Sequence, residues 1–293
     1  MEDSGTLPAG TARGGPDHAE LLALAQLVVG DAADLGYRMR AAGVSTVATK
    51  STRTDVVTAA DRAVERHVIN ALRAARPADA VLGEEYGVST AEPATVRWIL
   101  DPIDGTVNYL YGLPQYAVSL AAEVDGEVVV GVVHNIATGS RWWAQRGAGA
   151  YVAHWAEGAT GDDYPARGRR LVGSTQRDLT QALIATGFGY DAQVRAEQAR
   201  VLTGLLPRVR DIRRFGAASL DLCMAAEGLV DGYYERGLAP WDRAAGALIA
   251  TEAGLLVTGL GGAPAGTELV IAAPPELHRA LDSLLGTLGV LDG

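Results

Sequence analysis

The chain has 293 residues, 48% hydrophobic and 20% charged, with 36 glycines and 12 prolines, a balance that suits a folded globular chain and excludes a disordered or collagen-like one. Twenty-five Lys and Arg against 35 Asp and Glu leave a formal charge of −10, opposite in sign to the footprint of a protein that grips a phosphate backbone, so no direct nucleic-acid binding is expected. The single cysteine, Cys223, cannot close an internal disulfide, and no Cys/His cluster offers a zinc site, which fits a cytoplasmic enzyme.

Residues 1–17 are rich in Gly, Pro, Ser and Thr and carry almost no large apolar side chain, so a disordered tail is expected before a single domain over 18–290. The apolar run from Leu21 to Val29 is too short for a membrane span and lacks a basic flank, so neither a signal peptide nor membrane association is expected. Leu21, Leu24, Ala25, Val28, Leu35 and Met39 recur at helical spacing and predict an amphipathic helix from Ala19 to about Ala42. The polar stretch Ser45–Thr54 reads as a mobile hairpin or loop, and a second helix runs from Thr58 or Ala59 to about Arg76, where Pro77 ends it.

The period then changes. Ala80–Leu82, Trp98–Leu100, Ala117–Val124 and Val128–Val133 read as strands, the last two as a hairpin around Asp125-Gly126. Beyond a polar stretch near Gly158–Arg170, strands near Leu171–Gly173, Val209–Arg213 and Gly232–Glu235 alternate with helices at about Arg195–Leu206, Ala217–Glu227 and Asp242–Ala253. A strand and helix follow Leu269. The domain therefore divides loosely into an α+β half, 18–165, and an α/β half, 166–290.

Acids gather where these strands end. Gly83-Glu84-Glu85 closes one apolar run and Asp101-Pro102-Ile103-Asp104-Gly105-Thr106 closes another, the place where α/β sheets collect ligands. Asp101 and Asp104 flank a proline that forces a turn and can aim both carboxylates, with the Ile103 carbonyl, into one space. Such a cluster is costly unless a cation neutralises it, and oxygen-only donors favour Mg²⁺. A short helix starting after Gly105-Thr106 would add backbone N–H groups suited to phosphate. Taken alone, the Asp-Pro-x-Asp-Gly pentapeptide also suits a plain turn, and Asp55, Asp61 and Asp242 also suit helix N-termini.

Together, Gly83-Glu84-Glu85, the run Trp98–Asn108, Trp241-Asp242-Arg243-Ala244-Ala245-Gly246 and Thr251-Glu252-Ala253-Gly254 resemble the inositol monophosphatase family in order and spacing. Asp55–Asp61, Asp211–Cys223 and Asp231–Glu235 extend the resemblance to its bacterial inositol-type branch, over about residues 19–285. The resemblance implies a sugar-phosphatase-type αβαβα sandwich of α/β class and hydrolysis of a phosphomonoester, myo-inositol 1-phosphate above others. It implies two or three Mg²⁺ ions: one on Glu84, Asp101 and the Ile103 carbonyl, a second on Asp101, Asp104 and Asp242, and a weaker third near Glu84 and Asp61. Asp61 with Thr106 would deprotonate the attacking water, and Asp104, Gly105, Thr106, Gly216, Ala218 and Glu235 would contact substrate. Lithium sensitivity and a homodimer are implied as well.

The same acidic core is shared by histidinol-phosphatase-like, 3′-phosphoadenosine-phosphatase-like and fructose-bisphosphatase-like chains, so it identifies the reaction before the substrate. A rival of another class is a protein-interaction role in a transcription complex, against which the full set of ligand residues argues for catalysis.

Overall fold

The chain is described as a computed structural model over residues 15–44, 46–49, 56–88, 94–154 and 168–292, with the backbone alone for 46–49, 56 and 57. Most of the expected tail, together with Lys50, Asp55 and residues 155–167, lies outside the described residues. Asp17 caps α1 (His18–Ala41) by accepting from the Ala19 amide at 2.8 Å, and Leu21, Ala25, Val28, Val29 and Ala32 bury one stripe of it. The polar stretch predicted as a hairpin or loop contributes β1 (Thr46–Thr49), paired antiparallel with β2 (Val56–Thr58). Helix α2 (Ala59–Ala75) starts at a Thr58/Asp61 capping box and buries Val64, Val68, Ile69 and Leu72 beside α1.

These helices cover one face of an eight-stranded sheet made of β3 (Ala80–Gly83), β4 (Gly87–Val88), β5 (Val96–Asp104), β6 (Ala117–Val124), β7 (Glu127–Asn135), β8 (Arg141–Gln145), β9 (Gly149–Ala153) and β10 (Arg169–Arg170). Its order is β10-β9-β8-β7-β6-β5-β3-β4, antiparallel except where β3 runs parallel to β5. Asp125 and Gly126 turn the β6–β7 hairpin with φ of 52° and 82°, as a two-residue turn with matching twist requires. Side chains alternate between two cores: Trp98, Leu100, Val118, Leu120, Val130 and Val132 meet α1 and α2, while Ile99, Ala117, Ala121 and Val133 point to the opposite face. Burial on both faces explains why these strands read as unbroken apolar runs.

The second sheet has the order β12-β11-β13-β15-β14, from β11 (Leu183–Thr186), β12 (Asp211–Arg213), β13 (Gly232–Glu235), β14 (Leu256–Thr258) and β15 (Val270–Ala273). Its outer face packs Ile184, Tyr234, Ile271 and Ala273 against α4 (Ala192–Leu205) and α7 (Pro275–Thr287). Its inner face meets α5 (Ala218–Glu227) and α6 (Pro240–Glu252), which lie between the sheets and complete the αβαβα sandwich. Cys223 is fully buried in this layer.

Strands β2, β4, β8, β9, β11 and β14 carried no sequence assignment, and the strand expected at Leu171–Gly173 stands instead at Arg169–Arg170. They are short, and the burial of β8, β9 and β11 comes from layers contributed by distant chain. The short helix expected after Gly105 is α3 (Thr106–Tyr111).

Helix α6 sits on β7 with no side chain between them at one point: a Cβ on Gly131 would lie 2.8 Å from the Ala245 carbonyl oxygen and 2.9 Å from its Cα. Gly131→Ala is therefore expected to cost ~1–3 kcal/mol in denaturant-induced unfolding and to lower turnover by shifting α6. Unchanged stability would show that the two elements separate freely.

Candidate active site

Strand β5 ends on an irregularity. Asp101 pairs with Ser119 and Asp104 with Ala117, so three steps along β5 face two along β6, and the extra residue lies at Pro102-Ile103. Proline gives the ladder no donor, and the resulting bulge brings Asp101 and Asp104 to the same end of the sheet. The Ile103 amide donates to Asp101 Oδ1 at 3.0 Å, fixing the turn. Gly105 follows with φ of 88°, where a Cβ would lie 2.7 Å from the Gln115 carbonyl oxygen, so glycine alone fits between β5 and α3. Asn108 secures α3 by donating to the Gln115 and Phe215 carbonyls at 2.8 and 2.7 Å.

Across the gap, Asp61 stands in the first turn of α2. Its Oδ2 accepts from the Thr58 amide at 2.8 Å and the Thr58 hydroxyl at 2.5 Å, and its Oδ1 faces the Thr106 hydroxyl at 3.0 Å. That hydroxyl also lies 3.0 Å from the Ile103 carbonyl oxygen, and its single proton serves one of the two acceptors at a time. Burial raises the Asp61 carboxyl above the usual range, against the opposing effect of its hydrogen bonds to Thr58 and Thr106.

Glu65, one turn further along α2, is buried and accepts from the Glu85 and Tyr86 amides at 2.8 and 3.0 Å. It thereby holds the turn that carries Glu84, and Gly83 lies so close that any side chain there would collide with the Glu65 carboxylate. Asp104 Oδ2 accepts from the Ser219 amide at 2.7 Å and the Ser219 hydroxyl at 2.5 Å, which ties β5 to α5. Asp242 Oδ2 accepts from the Ala239 amide at 2.7 Å, so this acid does cap α6 while facing the site.

Glu84, Asp101, Ile103, Asp104, Gly105, Thr106 and Asp242 line one cavity of about 310 Å³, closed on another side by Tyr190, Ala239 and Trp241. Burial raises the Asp104 carboxyl, against its hydrogen bonds from Ser219 and Ala218. Asp242 lies well above the ordinary range through burial, then through the charges of Asp104 and Glu84. A carboxylate cluster strained in this way, with oxygen donors and neither histidine nor cysteine, suits a hard divalent cation. Among the described residues no three His, Cys, Asp or Glu side chains are already closed around a single ion position.

Three expected substrate contacts are not among the residues that line this cavity. The Gly216 carbonyl oxygen lies 3.2 Å from where a Cβ on Gly105 would stand, and Ala218 supports Asp104 through its amide. The Glu235 carboxylate accepts from the Tyr233 hydroxyl at 2.6 Å and presses on the backbone of Gly187, also outside the lining. Burial pushes it up to about 7. Sequence reasoning missed Glu65, for which an acid on the apolar face of α2 was the available signal, Ser219, which stands inside the Asp211–Cys223 stretch, and Tyr190, for which there was none.

The model of the inositol monophosphatase family matches residues 18–287. The inositol-1-monophosphatase of Mycobacterium leprae (strain TN) is 47% identical over 252 residues, covering 84% of this chain and 83% of that protein. Inositol-1-monophosphatase SuhB of Mycobacterium tuberculosis (strain ATCC 25618 / H37Rv) is 43% identical over 293 residues, covering 92% and 97%. The solved structure of Mycobacterium tuberculosis SuhB superposes with a TM-score of 0.77 at 38% identity, covering 94% of this chain and 99% of that one.

The site's own repulsion leads to an expected outcome in stability. Asp242→Asn keeps an oxygen for the Ala239 amide and removes a charge beside Asp104 and Glu84, so in EDTA its melting temperature should equal or exceed that of the wild type. Glu65→Ala should instead lose ~1.5–3 kcal/mol, because two amides lose a charged acceptor. Scanning calorimetry of both variants decides the matter, and a strongly destabilised Asp242→Asn would contradict the electrostatic picture.

Proposed function

Because the chain belongs to the inositol monophosphatase family, we propose that it is an inositol-1-monophosphatase, hydrolysing myo-inositol 1-phosphate to inositol and phosphate. The observation that carries this reading is the convergence of Glu84, Asp101, Asp104, Asp242 and Thr106 on one cavity, with Asp61 directly behind Thr106. Glu84, Asp101 and the Ile103 carbonyl would hold one Mg²⁺, and Asp101, Asp104 and Asp242 a second. When bound, the cations would supply positive charge to the phosphate and make water in the site more acidic.

The protein's own groups position the proton transfer. Thr58 fixes Oδ2 of Asp61, leaving Oδ1 to receive the Thr106 proton, and the Thr106 oxygen is then free to accept from a water in the cavity. As the water oxygen attacks phosphorus, its proton passes to Thr106 while the Thr106 proton passes to Asp61, the bond from phosphorus to the inositol oxygen breaks, and the departing alkoxide takes a proton from a solvent water. Asp61 is the base because its carboxyl, raised by burial, holds a proton better than an exposed aspartate. Asp104, Gly105 and Thr106 border the space for the phosphate at the start of α3, where the first backbone N–H groups lack helical acceptors.

Phosphate release is to be measured over inositol 1-phosphate, histidinol phosphate, 3′-phosphoadenosine 5′-phosphate and fructose 1,6-bisphosphate with Mg²⁺ and with EDTA. Inositol 1-phosphate should give the highest kcat/KM, and chelation should abolish turnover until Mg²⁺ is restored. Preference for another member of the panel would overturn the substrate, and activity after exhaustive chelation would overturn the metal ligands. Asp61→Asn and Thr106→Ala should each lower kcat by roughly 10²-fold, with the double variant little worse than either, since both act on one proton. Full additivity in that cycle would separate the two residues.

A further inference from the structure

We propose that Tyr190 is a specificity-determining residue of the phosphatase, whose ring supports the carbon face of a cyclic alcohol and so favours ring phosphates over short acyclic ones. The proposal rests on the function proposed above and concerns the half of the substrate that the acids do not hold. Seven of the ten residues lining the cavity belong to the acidic wall and the turn that begins α3. The phosphate and its counter-ions belong to that wall, so the alcohol must lie toward Tyr190, Ala239 and Trp241.

Glu235, the acid expected to read the alcohol, is not among the residues that line this cavity. The Glu235 carboxylate accepts from Tyr233, and its oxygens pack against Gly187, where any side chain would collide with them. The loop covering Glu235 is the one that presents Tyr190. Its neighbours are fixed on both sides: the Arg214 guanidinium lies 6.0 Å from the Phe188 ring centre, and the Gly189 amide donates to Gln198 Oε1 at 3.0 Å. Asp191 then caps α4, accepting from the Gln193 and Val194 amides at 2.9 and 3.1 Å. Tyr190 is thus held at the cavity by a pinned backbone, and the residue is 40% exposed.

A cyclitol suits such a wall. Its hydroxyls radiate around the ring while C–H bonds line its faces, so one face can cover an aromatic side chain as the hydroxyls stay hydrated. Glycerol 2-phosphate offers too little carbon to cover the same surface.

The test compares kcat/KM for myo-inositol 1-phosphate and glycerol 2-phosphate in the wild type, Tyr190→Phe and Tyr190→Ala. Tyr190→Ala is expected to lose about tenfold on inositol 1-phosphate (~1.4 kcal/mol), mostly through KM, and less than about threefold on glycerol 2-phosphate. Tyr190→Phe should keep the wild-type preference. The glycerol 2-phosphate rate reports on folding and on the acidic wall in the same samples. Equal losses on both substrates, no loss on either, or a Tyr190→Phe as impaired as Tyr190→Ala would overturn the role of the ring. A wild type that hydrolyses glycerol 2-phosphate but not inositol 1-phosphate would overturn the underlying function, a pattern distinct from these three.

Discussion

Helix α6 is pressed onto β7 at Gly131, and the geometry of the acidic site depends on that contact. Asp242 enters from the first turn of α6, whereas Asp101 and Asp104 enter from the end of β5, more than a hundred residues earlier in the chain. Buried carboxylates repel one another, and nothing in the acids themselves draws these elements together. The apolar layer between the sheets supplies the attraction. Gly131 lets α6 approach the first sheet, and Gly246, where a Cβ would lie 2.9 Å from Leu222 Cβ, lets α5 approach α6. Packing at this density transmits the position of one helix to the next.

Once gathered, the acids are held by backbone amides. Asp61, Asp101, Asp104 and Asp242 all accept a backbone amide through a single carboxylate oxygen, from Thr58, Ile103, Ser219 and Ala239 respectively. Those bonds fix orientation in advance, which is how a site lowers the cost of arranging charge during reaction. Glu65 does the same for the turn bearing Glu84 without lining the cavity itself.

Beneath this layer lies Asp221, fully buried in α5, with no hydrogen-bond partner for either oxygen among the described residues. Burial, together with the charges of Glu235 and Asp104, drives its carboxyl well above the normal range.

The acidic motifs were legible in the sequence because their chemistry is local: Asp101-Pro102-Ile103-Asp104-Gly105 carries its own bulge, turn and helix start, and Thr58 with Asp61 carries its own cap. The long periodic helices and the Asp125-Gly126 hairpin were legible for the same reason, and the layered fold through the family resemblance. Strands β2, β4, β8, β9, β11 and β14 were not, since all are short and the burial of β8, β9 and β11 comes from partners far along the chain. Nor could the sequence show that Glu235 turns under Gly187 while Tyr190 faces the cavity, because strand ends and loops have no periodicity that fixes direction. Residue types and their spacing therefore determined which chemistry this chain carries. Only the tertiary packing decided which side chains share the cavity, because that depends on contacts between segments whose sequences hold no information about one another's distance.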